Sequence, residues 1–271
     1  MIAYTKKDEI FHYTKLQTAI EKILPTLSLK FSEFSKSHDP IEYKDYEKGP
    51  KYNIIRYDDK RRARIQSKIL KCKFEHYKVL CFCRNPQSKK SNRFGWRKAR
   101  MWAQYAEDNT GVCFVFSKYK LIDQLKKTFN KRNISYRNVG YDNFCISKFK
   151  KYQLIDEGKF SILSDKEYLD YHLKKHKKEL FFLKDHDFKD ENEFRIILKD
   201  KSEEEKFLNI LGSLKGIILG DKQPKVYIDL FQNIIQRIEN EQENKYWDDK
   251  LKIALDRMHF YEGLPTIQHI K

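Results

Sequence analysis

Five short apolar runs govern what this chain can fold into. They are EIFHYT (Glu9 to Thr14), YKVLCFC (Tyr77 to Cys83), VCFVFS (112 to 117), EFRIIL (Glu193 to Leu198) and LKGIIL (Leu214 to Leu219). Each is compact and rich in β-branched or aromatic residues, the mark of a strand buried in a sheet. Further extended segments are predicted at Leu27 to Phe31, Ile134 to Tyr141 and Ile253 to Tyr261. Helical spacing of apolar residues covers Leu16 to Leu24, where Pro25 ends it, then Asp58 to Phe74, Ala99 to Ala106, Leu121 to Phe129, Asp165 to Phe182 and Pro224 to Asn240. Strands and helices alternate too irregularly for a doubly wound sheet. The pattern therefore predicts an α+β fold, a curved and mainly antiparallel sheet with flanking helices, in a single domain over 1–271.

Material for a core is ample. Apolar residues make up 40% of 271 and aromatics 14%, which excludes disorder. Only 9 Gly and 6 Pro are present, and no Gly-rich phosphate loop or dinucleotide fingerprint occurs. Five cysteines (72, 81, 83, 113 and 145) form no disulfide framework, and the opening MIAYTKKDEIFHYT lacks an apolar leader. A reducing cytoplasmic setting, with no membrane segment, is the expectation.

Charge is the strongest functional signal. The chain has 56 Lys+Arg against 39 Asp+Glu, a net +17. From Lys60 to Arg100 fifteen basic residues face one acid, Glu75, so 15 − 1 = +14 lies in that tract and 17 − 14 = +3 in the rest. A Lys-rich composition alone would spread its charge, whereas an Arg-containing cluster suits a polyanionic partner. Arg61, Arg62, Arg64, Arg93, Arg97 and Arg100 are the expected phosphate contacts, with Phe94 and Trp96 stacking on exposed bases. RNA or single-stranded DNA fits better than duplex, because no recognition-helix signature is present.

Three groups of residues could carry chemistry. His12 and Thr14 share one side of the first strand by its period of two, although a strand-end His is also a common structural residue. Trp102 and Tyr105 form an aromatic pair at helical spacing, which is equally a core pattern. Glu191 and Glu193 flank the start of the EFRIIL strand, where a rigid element can present an acid or base. Cys81-x-Cys83 and His172-x-x-x-His176 lack matching partners, so no metal site is expected.

Taken in order, His12-Tyr13-Thr14, Asp39-Pro40-Ile41-Glu42, Cys81-Phe82-Cys83, Met101 to Ala106, Gly111 to Phe116, Glu191 to Arg195 and Ile217 to Gly220 resemble a widespread bacterial domain family of unknown function. In that family a serine usually stands where Cys83 does, and the basic helix and loop at about 58–100 look inserted. The same pattern is similar to the ADP-ribosyltransferase fold with its split sheet, in particular the His-Tyr-Glu and DarT-type DNA-modifying toxins. That resemblance implies an NAD-dependent ADP-ribosyltransferase acting on nucleic acid, in a toxin or phage-defence setting with a neutralising antitoxin. It further implies Glu193 as catalytic carboxylate and Glu191 as the group facing the acceptor. His12 and Thr14 would hold NAD, and Tyr105 or Trp102 would stack on the nicotinamide. A protein acceptor, NAD hydrolysis by water, or a non-catalytic basic nucleic-acid-binding module are the alternatives.

Overall fold

A computed structural model of the chain describes residues 4–36, 57–87, 92–142, 155–243 and 252–270. The Asp39 to Glu42 turn and the basic residues Lys89 and Lys90 lie outside them.

The apolar runs form the sheet expected of them: β1 (Glu9–Thr14), β4 (Tyr77–Arg84), β5 (Val112–Ser117), β9 (Glu193–Lys199) and β11 (Leu214–Leu219). With β6 (Ile134–Asn138), β12 (Ala254–Tyr261) and β13 (Leu264–His269) they follow the order β13-β12-β11-β5-β1-β4-β9-β6, and β3 (Ser32–Glu33) pairs with β4. Every contact in this sheet is antiparallel except β11 with β12. Two small sheets stand apart, β2 (Ser28–Lys30) with β10 (Phe207–Asn209) and β7 (Gly140–Asp142) with β8 (Leu183–Asp185). No helix among the described residues is long and apolar enough to cross a membrane.

Side-chain alternation divides the core. Ile10, Leu80, Phe114, Phe194 and Ile217 face one way, onto helices Lys118–Thr128 and Val226–Glu243. The other face is covered in two separate patches. Tyr77, Val79 and Ile197 lie under helices Tyr57–His76 and Asp165–Lys175, while Phe11, Cys113, Val115 and Ile218 lie under helix Ala99–Tyr105.

The sheet is hydrogen-bonded throughout rather than split in two, but its central join is narrow. β1 pairs with β4 only at Ile10↔Arg84 and Phe11↔Cys83, and β3 pairs with β4 only at Ser32↔Val79 and Glu33↔Lys78. Between them, Leu80, Cys81 and Phe82 have no strand partner on that edge among the described residues, which leaves a window between the strands. β5 keeps β1 in place on its other side by six consecutive pairs, from Glu9↔Ser117 to Thr14↔Val112. Gly111 makes this approach possible, because a Cβ there would meet the Thr14 carbonyl oxygen at 2.4 Å.

Candidate active site

The window opens into a cavity of about 700 Å³, within the size range of small-molecule and cofactor sites. Of the residues expected to hold NAD or react with it, His12, Thr14, Tyr105, Glu191 and Glu193 all line it. They arrive from different directions. Alternation puts His12 and Thr14 on the Ile10 face of β1, while Glu193, opposite Cys83, lies on the other face of β9. One cavity reaches both because the strands are unpaired between them.

His12 spans the window by donating from Nδ1 to the Cys81 carbonyl at 3.1 Å. A carbonyl only accepts, so this bond assigns the proton to Nδ1. Burial lowers the His12 pKa, against the opposing effect of that carbonyl, so the ring is neutral near pH 7 with Nε2 left as an acceptor.

The carboxylates are not exposed groups at the start of a strand; each is 3% exposed. Asn192 between them adopts a left-handed conformation (φ 45°), which Asn tolerates better than most residues, and fastens itself to the Arg84 and Asn85 carbonyls through Nδ2. Lys184 on β8 bonds both acids, Glu191 Oε2 at 2.7 Å and Glu193 Oε2 at 3.1 Å. Arg195 grips Glu193 with two nitrogens, Nε at 2.6 Å and Nη2 at 3.2 Å, and anchors on the Phe181 carbonyl. Tyr105 donates its hydroxyl to Glu191 Oε1 at 3.0 Å, and the Tyr141 hydroxyl oxygen accepts from the Glu193 main-chain N–H. Burial alone would raise the Glu193 carboxyl. Arg195 and Lys184 outweigh it, helped by hydrogen bonds from Arg195 and Cys81, and hold it well below the usual carboxylate range. The result is two acids and two bases, neutral in sum, on the wall of a cavity. Cys83 donates to the Glu191 carbonyl at 2.9 Å, a bond that a serine hydroxyl in its place could also make.

Several expected residues lie elsewhere. Trp102 is fully buried, edge-on to Tyr13, with its indole N–H on the Trp96 carbonyl, so it cannot stack on a cofactor. Trp96 is 2% exposed and offers no face to a base. These rings are core because the basic loop folds back onto the sheet, pinned by Tyr13 Oη to the Gly95 carbonyl and by the Gly95 N–H to Asn85 Oδ1. Arg61 spends its donors on Asp165 and the Phe160 and Leu163 carbonyls, Arg64 also binds Asp165, and Arg62 binds Glu157. That half of the basic tract clasps two segments of the fold. Arg93, Arg97 and Arg100 lie just before and on the helix Ala99–Tyr105, Arg93 paired with Asp190.

Lys184, Arg195 and Tyr141 were missed by sequence reasoning. Arg195 stood inside the E-x-E-x-R motif without a role, and a buried strand with an Arg among apolar residues was the available signal. Lys184 and Tyr141 meet only through the parallel β7–β8 pair, where they are register partners.

Residues 101–196 match the model of a family described as a protein of unknown function (DUF2971). The match includes Tyr105, Lys184, Glu191, Glu193 and Arg195 and stops short of β1. Comparison with curated proteins and with solved structures finds no match. The chain is thus similar, over the segment that supplies its carboxylates, to a bacterial domain of unknown function.

Proposed function

We propose that the chain is an NAD-dependent ADP-ribosyltransferase of the His-Tyr-Glu type with nucleic acid as acceptor. The observation that carries this reading is the convergence of His12, Thr14, Tyr105, Glu191 and Glu193 on one cavity. Cleavage of the nicotinamide–ribose bond passes through an oxocarbenium-like state, which a fixed carboxylate stabilises while accepting a ribose hydroxyl. Glu193 takes that role, kept ionised and fixed by Arg195. His12 Nε2 accepts a second ribose hydroxyl, Thr14 binds the nicotinamide amide, and the Tyr105 ring packs on the nicotinamide.

The acceptor assignment rests on the +14 tract, and Arg93, Arg97 and Arg100, which stand outside the Asp165 and Glu157 ion pairs, are its working part. An enzyme of this kind damages its own cell, so a toxin or phage-defence role in the cytoplasm with a neutralising partner protein follows. The test is nicotinamide release from NAD with RNA, single-stranded DNA, duplex DNA, protein or no acceptor present. Glu193→Gln should lower release on the order of a hundredfold or more, read at a temperature where the variant is shown to be folded, because the change also takes a partner from Arg195 and Lys184. Full activity in that variant ends the assignment of Glu193, and release unaffected by any acceptor moves the reading to NAD hydrolysis. No release under any condition leaves the basic nucleic-acid-binding module.

A further inference from the structure

A second cavity, about 610 Å³, abuts the first. Met101 and Glu191 line both. Its own walls carry five cations, Arg93, Arg97, Lys98, Arg100 and Lys189. Among the described residues only Arg93 pairs with a carboxylate, Asp190. Arg97, Lys98 and Arg100 donate instead to the main-chain carbonyls of Pro265, Asp190 and Asp187. Carbonyl partners aim a side chain without cancelling its charge, so the cavity keeps a positive excess. Among the described residues no aromatic ring lines it. A base therefore has nothing to stack on there, whereas an anionic group has several donors.

Glu191 restricts what can react at the junction. Its Oε1 accepts from Tyr105 and its Oε2 from Lys184, so a hydroxyl or amine acceptor would share this carboxylate with two donors already in place. A hydroxyl or amine acceptor needs a base to take its proton. A phosphate monoester already bears a nucleophilic oxyanion and needs none.

We propose that this second cavity binds the terminal phosphate of a nucleic-acid strand and that this phosphate is the acceptor; the acceptor role rests on reading the first cavity as the NAD site. In the step, a lone pair on the phosphate oxygen forms a bond to the anomeric carbon of the NAD ribose. The bond from that carbon to nicotinamide breaks, its electron pair returns to the ring nitrogen, and neutral nicotinamide leaves. No proton is transferred, and the monoester becomes an ADP-ribosyl phosphodiester.

The experiment compares one single-stranded oligonucleotide in three forms, with a 5′-phosphate, with a 3′-phosphate, or with hydroxyls at both ends. Affinity for the full chain is read by fluorescence anisotropy, and transfer by label from NAD. One phosphorylated form is expected to bind on the order of tenfold tighter and to be the form labelled. The two phosphorylated forms tell which end is recognised. The paired change Arg97→Gln and Lys189→Gln should equalise the three affinities. Equal affinities in the unaltered protein refute the phosphate site, and label on the hydroxyl-ended strand refutes the phosphate as acceptor. Preferential binding with no nicotinamide released from any mixture refutes the transferase reading and the acceptor role with it.

Discussion

Replacing Lys184 by Met would leave the packing nearly filled and remove the one cation shared by two buried carboxylates. Glu193 would keep its two hydrogen bonds from Arg195, but Glu191 would keep, among the described residues, only the Tyr105 hydroxyl. Losing one partner of a buried pair costs about 3–5 kcal/mol. For a chain of this size that lowers Tm on the order of 10 °C. Urea unfolding followed by tryptophan fluorescence suits the measurement, since Trp96 and Trp102 are both buried. The pH dependence has a definite sign. Glu193 is depressed in the folded state, so its contribution is present above the unfolded value of about 4.3 and is lost as pH falls through the folded value. Without Lys184 the depression is smaller, so the stability gap between parent and variant is full above the variant's own folded value and closes as pH falls from there through the parent's. Adding Glu191→Gln to Lys184→Met removes the orphaned charge and should recover most of the loss. An unchanged midpoint for Lys184→Met, or a gap that widens as the pH falls, would refute this account of the network.

Three further outcomes are expected. His12→Ala should weaken binding of a non-hydrolysable NAD analogue about two- to tenfold, the scale of one neutral hydrogen bond, as read by calorimetric titration. Trp96→Ala should cost about 3–5 kcal/mol of stability, because the ring is core; a stable variant with weakened strand binding would return Trp96 to a stacking role. Arg61→Met should lower stability and leave the slope of log affinity against log salt unchanged, whereas Arg97→Gln should flatten that slope by about one unit. A flatter slope for Arg61→Met would make it a phosphate contact after all.

The site was legible where its residues lie on strands with a clear period. His12 and Thr14 two apart on β1, and Glu193 at the head of an apolar run, could be placed without coordinates. What escaped came from pairings distant in sequence. Asp165 gathers Arg61, Arg64 and Lys68 from one helix face at 3.0, 2.8 and 3.6 Å, and nothing near those arginines announces it. A dense basic tract thus divides into a structural clasp and a smaller group around a cavity. Trp96 was misread for a related reason: a ring in a polar, basic loop looks exposed until the loop is seen folded over Phe11, whose ring a Cβ at Gly95 would strike at 2.2 Å. β13 was missed outright because its sequence, LPTIQH, opens with a proline-containing turn-like dipeptide and is tolerated only as an edge strand.

The narrow β1–β4 join bears on how the molecule is assembled. On one side of it lie β1, β5 and β11 to β13, and on the other β3, β4, β6 and β9. Along the chain these alternate: β1, then β3 and β4, then β5, then β6 and β9, then β11 to β13. No contiguous fragment holds a complete half, so neither half can condense first as an autonomous unit. The seam itself joins Ile10 to Arg84 and Phe11 to Cys83, and His12 reaches Cys81 only once it has formed. Truncated or nascent chains lacking the C-terminal strands would therefore carry every cavity residue named above while one side of the join is still incomplete.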